Sequence, residues 1–520
     1  MRTVVLLLLS AAIAWGGELT RRYELTLERV LQGGDPRYDV DLLAADVIPN
    51  DSRVFTHFSG DLSGRYLGAL AAAGRADQAL AVLPQLLEHQ RPDGRFGNPL
   101  SSDGAADDDM ARLWGAGRML VGLAELYQAT EDPRALAAAK KLGDWLLAQA
   151  SRFNAEPVRI EFYSGRMATG YICWTQNVEA LALLAEIAPD DAERYREAAR
   201  EIAATLERRP GQHVHGWLTT LRGMARMPSL LASARAAVAE FTQTDDLLPT
   251  ASVSEYFQPG LSRDEGCAHA DWVRLNLQLG GDERLAAAEA ALFNGFYPNQ
   301  SASGGFGHLK FSARGIEPGH EEAWWCCTLH GLRAFREIRD AAFSNQNGTP
   351  RYRLPVDGRY ADDALELQAD STLEDDGRVT IQVLEGELAG LAVRQPEWSG
   401  PLRFERDGAA LEDPAVLAPP LQPGESLVIV YDPLSRTIDG VEYLGPWILA
   451  GPADVPGSRI RLADRTWQEP QVEWRFLPAE RALPIQQESR LPRLLRLGLY
   501  AVLAAALLLY SLHLTGRRSD

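Results

Sequence analysis

The sequence predicts an α+β multidomain protein: a toroid of helical hairpins, a β-sandwich, and a C-terminal transmembrane helix. Three observations carry that expectation. From about residue 60 to 345 the chain is rich in Ala and Leu at helical spacing, cut by short Gly/Pro/Asp turns. Beyond that point it changes to short β-type runs between Gly, Pro and Asp-Gly turns. Near its end, Leu497–Leu514 is an uncharged stretch of 18 residues, long enough to cross a bilayer.

Taken in order, Met1–Ala14 shows Arg2, the apolar run Val4–Ile13 and the small-x-small sequence Ala12-Ile13-Ala14. This is the pattern of a signal peptide and is too short for a spanning helix. The helical region follows at 20–345. Leu67, Leu70, Leu83, Leu86 and Leu87 mark its first hairpin; Leu120, Leu123, Leu126, Leu136, Leu142 and Leu146 mark the next. The series continues through Leu181, Leu184, Leu218, Leu221, Leu275, Leu285 and Leu292, with turns such as "AAGRAD", "QATEDPR" and "LGGDER". No repeat of fixed length is present, which argues against a solenoid and for a closed ring whose loops line a pocket. The Gly-rich stretches 90–99 and 299–308 read equally well as tight connections or as pocket walls.

Residues 346–480 carry the strand-like runs "ALELQAD", "GRVTIQVLEG", "PLRFERDG" and "ESLVIVYDP", as expected of a β-sandwich. Residues 481–496 form a linker to the helix at 497–514. Arginines flank that helix on both sides, so the signal peptide sets the orientation: body outside, Arg517-Arg518 inside. An exported, membrane-anchored protein follows. Asn347-Gly348-Thr349 fits the N-glycosylation pattern but reads as a chance match.

A formal charge of −19, with 46% hydrophobic and 24% charged residues, describes an ordinary globular body and disfavours nucleic-acid partners. Export would favour disulfides, yet the four cysteines are Cys173, Cys267 and the adjacent Cys326 and Cys327. A bridge between neighbours would join Cα atoms about 3.8 Å apart, closer than ordinary disulfide geometry accepts. Glu265 and Cys267, two positions apart at a helix start, complete a set of one carboxylate and three thiols. Such a set suits tetrahedral Zn²⁺. Buried unligated cysteines are the alternative, and Cys173 reads as one.

The segments "DEGCAHADWVRLNLQL", "FNGFYPNQSASGGF" and "WWCCTLHGLRAF" resemble the core motifs of the β-L-arabinofuranosidase-like glycoside hydrolases, family 127 and its relatives. The likeness extends outward through "QRPDGRFG", "LVGLAELYQATEDPRAL" and "HVHGWLTTLRG", and into the β-region at "LAVRQPEW", "LQPGESLVIVY" and "YLGPWILAG". It implies an (α/α)6 barrel with β-sandwich modules, a carbohydrate substrate, and retaining hydrolysis. It further implies Glu265, Cys267, Cys326 and Cys327 as zinc ligands, Cys326 as nucleophile and Glu255 as general acid/base. His215, Gln176, Trp174, Arg118 and Trp325 fall at pocket positions. Arg118 stands where many members have histidine, "TQN" replaces a His-Pro-Glu-like segment, and His330 stands where asparagine is usual. The implied machinery is thus kept while the sugar-contacting set is altered. The alternative is a non-catalytic carbohydrate-binding or scaffold protein with a structural zinc.

Overall fold

The computed structural model describes residues 16–32, 34–49, 58–101, 107–163, 169–244, 246–247, 253–257, 263–312, 315–438, 441–450, 467–468 and 471–472. The expected signal peptide (1–14), linker (481–496) and transmembrane helix (497–514) lie outside the described residues. Among the described residues no helix is long and apolar enough to cross a membrane.

Among the helices of the described residues, twelve form two layers: α1 (Glu18–Leu31), α2 (Asp61–Ala72), α3 (Ala76–Leu87), α4 (Asp107–Thr130), α5 (Pro133–Phe153), α6 (Asn177–Ile187), α7 (Ala192–Ala203), α8 (Val214–Arg226), α9 (Leu231–Phe241), α10 (Gly266–Leu279), α11 (Asp282–Ala291) and α12 (Cys327–Ala341). Six of them follow one another in a closed circuit: α2 packs on α4, α4 on α6, α6 on α8, α8 on α10, α10 on α12, and α12 back on α2. Each is backed by an outer helix, α3, α5, α7, α9 and α11 behind their predecessors in sequence and α1 behind α12. The N-terminal helix therefore completes the last pair.

The burial pattern separates the two layers. In α10, Gly266 through Leu277 are all buried, charged and polar residues included. In outer α7 burial is confined to Ala192, Tyr195, Ala198, Ala199, Ile202 and Ala203, the one-sided stripe of an amphipathic helix. Inner helices approach closely where glycines meet: a Cβ on Gly122 of α4 would lie 2.0 Å from the Gly64 carbonyl oxygen of α2. Caps fix individual starts, as at α5, where the Asp132 side chain accepts from the Arg134 N–H and Pro133 occupies the first turn.

The hairpin β1 (Gly307–Ser312) and β2 (Gly315–Glu322) pairs antiparallel between α11 and α12. After α12 come β3 (Phe343–Gln346), β4 (Thr349–Tyr352), β5 (Gly358–Ala361), β6 (Glu366–Thr372), β7 (Arg378–Glu385), β8 (Ala392–Val393), β9 (Arg403–Arg406), β10 (Ala409–Leu411) and β11 (Ser426–Val430). An antiparallel six-stranded sheet has the order β10-β9-β11-β7-β6-β5; a smaller mixed sheet has β3-β4-β8. Alternation buries Leu367 and Ala369 on β6 and Val379, Ile381 and Val383 on β7. The expected sandwich is thus a sheet-rich region built on one large sheet. It is tied to the helices by Asn294, which donates to the Pro446 carbonyl and accepts from the Ile448 N–H, both at 2.9 Å.

Candidate active site

The starts of several inner helices open on one cavity of about 340 Å³. Asp61 begins α2, His213 and His215 sit at the start of α8, Glu265 caps α10 and Cys326 caps α12. Phe58, Arg65, Trp114, Glu255, Tyr256, Arg263, His308 and Trp325 complete the wall. A helix start carries partial positive charge, so this end of the ring favours anions.

Four potential ligands converge here. One ligand atom each from Glu265, Cys267, Cys326 and Cys327 lies within 4.8 Å of the other three, and all four residues are buried. The Cys326 and Cys327 sulfurs are 3.6 Å apart, close to the ~3.8 Å separation of two thiolates on a tetrahedral zinc. Three sulfurs and one carboxylate oxygen at this spacing fit Zn²⁺. The sulfurs differ in access: Cys326 is 9% exposed and reaches the cavity, while Cys267 and Cys327 are fully enclosed. Hydrogen bonds from the other two thiols hold the Cys326 thiol well below its ordinary range, with the Arg65 guanidinium assisting against burial. Burial pushes the Cys267 and Cys327 thiols up.

Local contacts fix the Glu265 loop. Asp264 accepts from the Leu309 N–H at 2.7 Å and from the Asn299 amide at 3.0 Å, and pairs with His269 at 2.8 Å. Glu265 Oε2 contacts His213 Nε2 at 3.0 Å. Burial opposes both charges, but each outweighs that penalty on the other: the His213 ring is pushed up and the Glu265 carboxyl is held far down. His308 donates Nδ1–H to the Asp264 carbonyl at 2.9 Å. The 299–308 stretch thereby contributes to the wall. By contrast, 90–99 is a turn against α5, with Gln90 donating to the Ala138 carbonyl at 2.9 Å.

Beneath the cavity lies a buried charge network. Asp271 Oδ2 accepts from His215 Nδ1–H at 2.7 Å and from the Thr219 hydroxyl at 2.8 Å; Oδ1 meets His330 Nε2 at 2.8 Å and Arg274 at 2.9 Å. Glu179 pairs with Arg118 at 3.0 Å and Arg222 at 3.2 Å, and Glu337 joins Arg222 and Arg274.

Of the residues expected at the site, Glu255, Glu265, His215, Trp325 and Cys326 line the cavity. Trp174, Gln176 and Arg118 do not. The Gln176 side-chain oxygen Oε1 accepts from Arg118 Nε at 2.8 Å, Arg118 turns to Glu179, and Trp174 donates to Asn154 at 2.8 Å behind the ring. Their hydrogen bonds are spent on one another and on the packing. Glu255 is clasped by Arg263, with Nη2 donating to Oε1 at 2.8 Å and Nε to Oε2. Sequence reasoning overlooked Asp61, Arg65 and Trp114. The signal for Asp61 and Arg65 was a charged pair, four residues apart, inside the apolar stretch "GDLSGRYLGALAAA".

Residues 58–213 match the family model of the β-L-arabinofuranosidase GH127 catalytic domain. Among solved structures, a GH127 β-L-arabinofuranosidase from Geobacillus stearothermophilus T6 superposes with a TM-score of 0.60 at 16% identity, over 83% of this chain and 85% of that one. A second GH127 β-arabinofuranosidase gives 0.56 at 15% identity, over 83% and 81%. A further glycoside hydrolase gives 0.58 at 14% identity, over 84% and 81%. These likenesses speak for the fold. No curated protein matches the sequence. The chain thus matches the GH127 catalytic-domain model over 58–213 and shares the fold of the GH127 β-L-arabinofuranosidases over most of its length.

Proposed function

We propose that the chain is an exported, membrane-anchored, retaining glycosidase of the β-L-arabinofuranosidase type, with Cys326 as nucleophile. The observation that supports it most is the placement of Cys326, the one sulfur of the cluster that reaches a cavity also lined by a second carboxyl group, Glu255. Glu265, Cys267, Cys326 and Cys327 would hold zinc, which when bound keeps the thiols deprotonated at neutral pH. The Cys326 sulfur attacks the anomeric carbon as the bond to the leaving oxygen breaks, and Glu255 delivers the proton that oxygen needs. Water then displaces the sulfur from the face that the leaving oxygen vacated, opposite the C–S bond, with Glu255 taking its proton, so configuration is retained. Arg263 must release at least one Glu255 oxygen for this, and its side chain is 37% exposed and able to swing into solvent. Trp325 and Tyr256 supply aromatic surface to the sugar, with the His215 ring behind them in the wall.

The Arg263 clasp also favours a second reading, a carbohydrate-binding protein whose zinc is structural. One experiment separates them. The full chain is assayed on aryl β-L-arabinofuranosides and other aryl glycosides, with zinc measured on the same sample. The enzyme reading expects about one zinc per chain, turnover, a roughly 10²–10⁴-fold lower kcat in Glu255→Gln, and Cys326 labelled by a sugar-like haloacetamide. Zinc and sugar binding with no turnover of any glycoside sinks it. Export and anchoring are tested in cells: the chain should fractionate with membranes, and deletion of 497–520 should release it.

A further inference from the structure

Asp61 is 8% exposed on the cavity wall, and its two oxygens have different surroundings. Oδ1 accepts from Arg65 Nε at 2.8 Å and from the Trp114 indole N–H at 3.0 Å. Oδ2 has no partner among the described residues. The donors that hold Oδ1 are themselves held. Arg65 Nη1 points at the Cys267 sulfur at 3.6 Å, and Nη2 meets His215 Nε2 at 3.0 Å. His215 is fixed in turn by Asp271 at 2.7 Å. One guanidinium thus joins a wall carboxylate, a ligand sulfur and an anchored imidazole. The other two wall carboxylates are committed: Glu265 to the cysteine cluster and His213, Glu255 to Arg263.

We propose that Asp61 is a specificity-determining residue that accepts a hydrogen bond from one hydroxyl of the bound sugar through Oδ2. Arg65 is the positioning residue that sets that oxygen relative to the cysteine cluster. The inference rests on the glycosidase reading of this site and names how the site chooses its sugar. A hydroxyl donating to a carboxylate forms a charge-assisted bond. A sugar lacking that hydroxyl leaves a desolvated acceptor unpaired, which discriminates more strongly than a missing methylene does.

The test is a cycle between Asp61→Asn and a set of monodeoxy aryl furanosides, run on zinc-loaded full chain with zinc content and melting temperature read in parallel. Wild type should lose about 10- to 100-fold in kcat/KM on one particular deoxy sugar. D61N should lose a similar factor on the parent sugar and little more on that deoxy sugar. Arg65→Lys, which keeps the charge but cannot span three partners, should lower the preference for parent over deoxy sugar while zinc stays near one per chain. Should D61N lose zinc or fold, Asp61→Glu keeps the pair with Arg65, moves the acceptor by one methylene and should change which deoxy sugar is penalised. Independent, multiplying losses for every hydroxyl overturn the inference while leaving the glycosidase reading intact. A wild type that cleaves no furanoside overturns both.

Discussion

Replacing Asp271 by Asn should destabilise the protein far more than its conservative shape suggests. The carboxylate is fully buried and takes donors on both oxygens: His215 and Thr219 on Oδ2, His330 and Arg274 on Oδ1, with Arg222 at 3.5 Å. An amide offers one acceptor oxygen only. Whichever way it is turned, its NH2 faces two groups that donated to the carboxylate. The substitution also removes a counter-charge shared by two buried arginines. Breaking a buried pair from one side costs about 3–5 kcal/mol, and at roughly 2 °C per kcal/mol the melting temperature should fall by about 6–10 °C. The internal control is Glu186→Gln, whose partner Arg226 lies 3.0 Å away in a pair that is 38% and 23% exposed; it should change stability by about 1 kcal/mol or less. Urea unfolding of wild type and both variants reads the difference. If D271N and E186Q cost the same, the network beneath the cavity does not carry the electrostatic weight assigned to it.

Cys267→Ser should leave zinc well below one per chain after mild chelation that leaves the wild type loaded, because a serine hydroxyl is a poor substitute for a thiolate ligand. Cys173 is fully buried and outside the ligand cluster, so Cys173→Ala should retain wild-type zinc and activity and cost about 1 kcal/mol in a melt. Acid sensitivity should trace in part to Glu179. Burial pushes its carboxyl up, but Arg333, Arg222 and Arg118 outweigh that and hold it well below its ordinary value. A lowered folded value means its contribution is complete above about pH 4.3, the unfolded value, and erodes as pH falls below it. Urea midpoints measured from pH 6 to pH 3 should fall less steeply in Glu179→Gln than in the wild type.

The two cysteine segments were legible because covalent geometry excludes the simplest pairing, and because a vicinal pair and a Glu-x-Cys each sit at a helix start. Periodicity also exposed the helical hairpins. It could not show that α1 belongs behind α12, since a stripe of apolar residues says which face is buried and not against which helix. The same limit explains Trp174, Gln176 and Arg118. They stand where a pocket segment resembles theirs, yet Arg118 brings a guanidinium that must find a carboxylate in a dry interior, and Glu179 is the one it meets. Once Arg118 is drawn to Glu179, Gln176 follows it and the cavity wall falls to other residues. Asp61 and Arg65 escaped notice for the converse reason: such a pair on a helix usually faces solvent, and here the surrounding Leu, Ala and Gly turn it inward.

What unites the parts is the direction in which the inner helices run. Asp61, Glu265, Cys267, Cys326 and Cys327 each belong to the first turn or cap of an inner helix that opens on the cavity. Each acid or thiol therefore lies at the positive end of a helix, the end that attracts negative charge. The opposite ends of these helices offer carbonyl oxygens and would repel the same groups. Acids nearer those ends, such as Glu337, are held by arginines, whereas the motifs that carry the chemistry cluster at helix starts along the sequence.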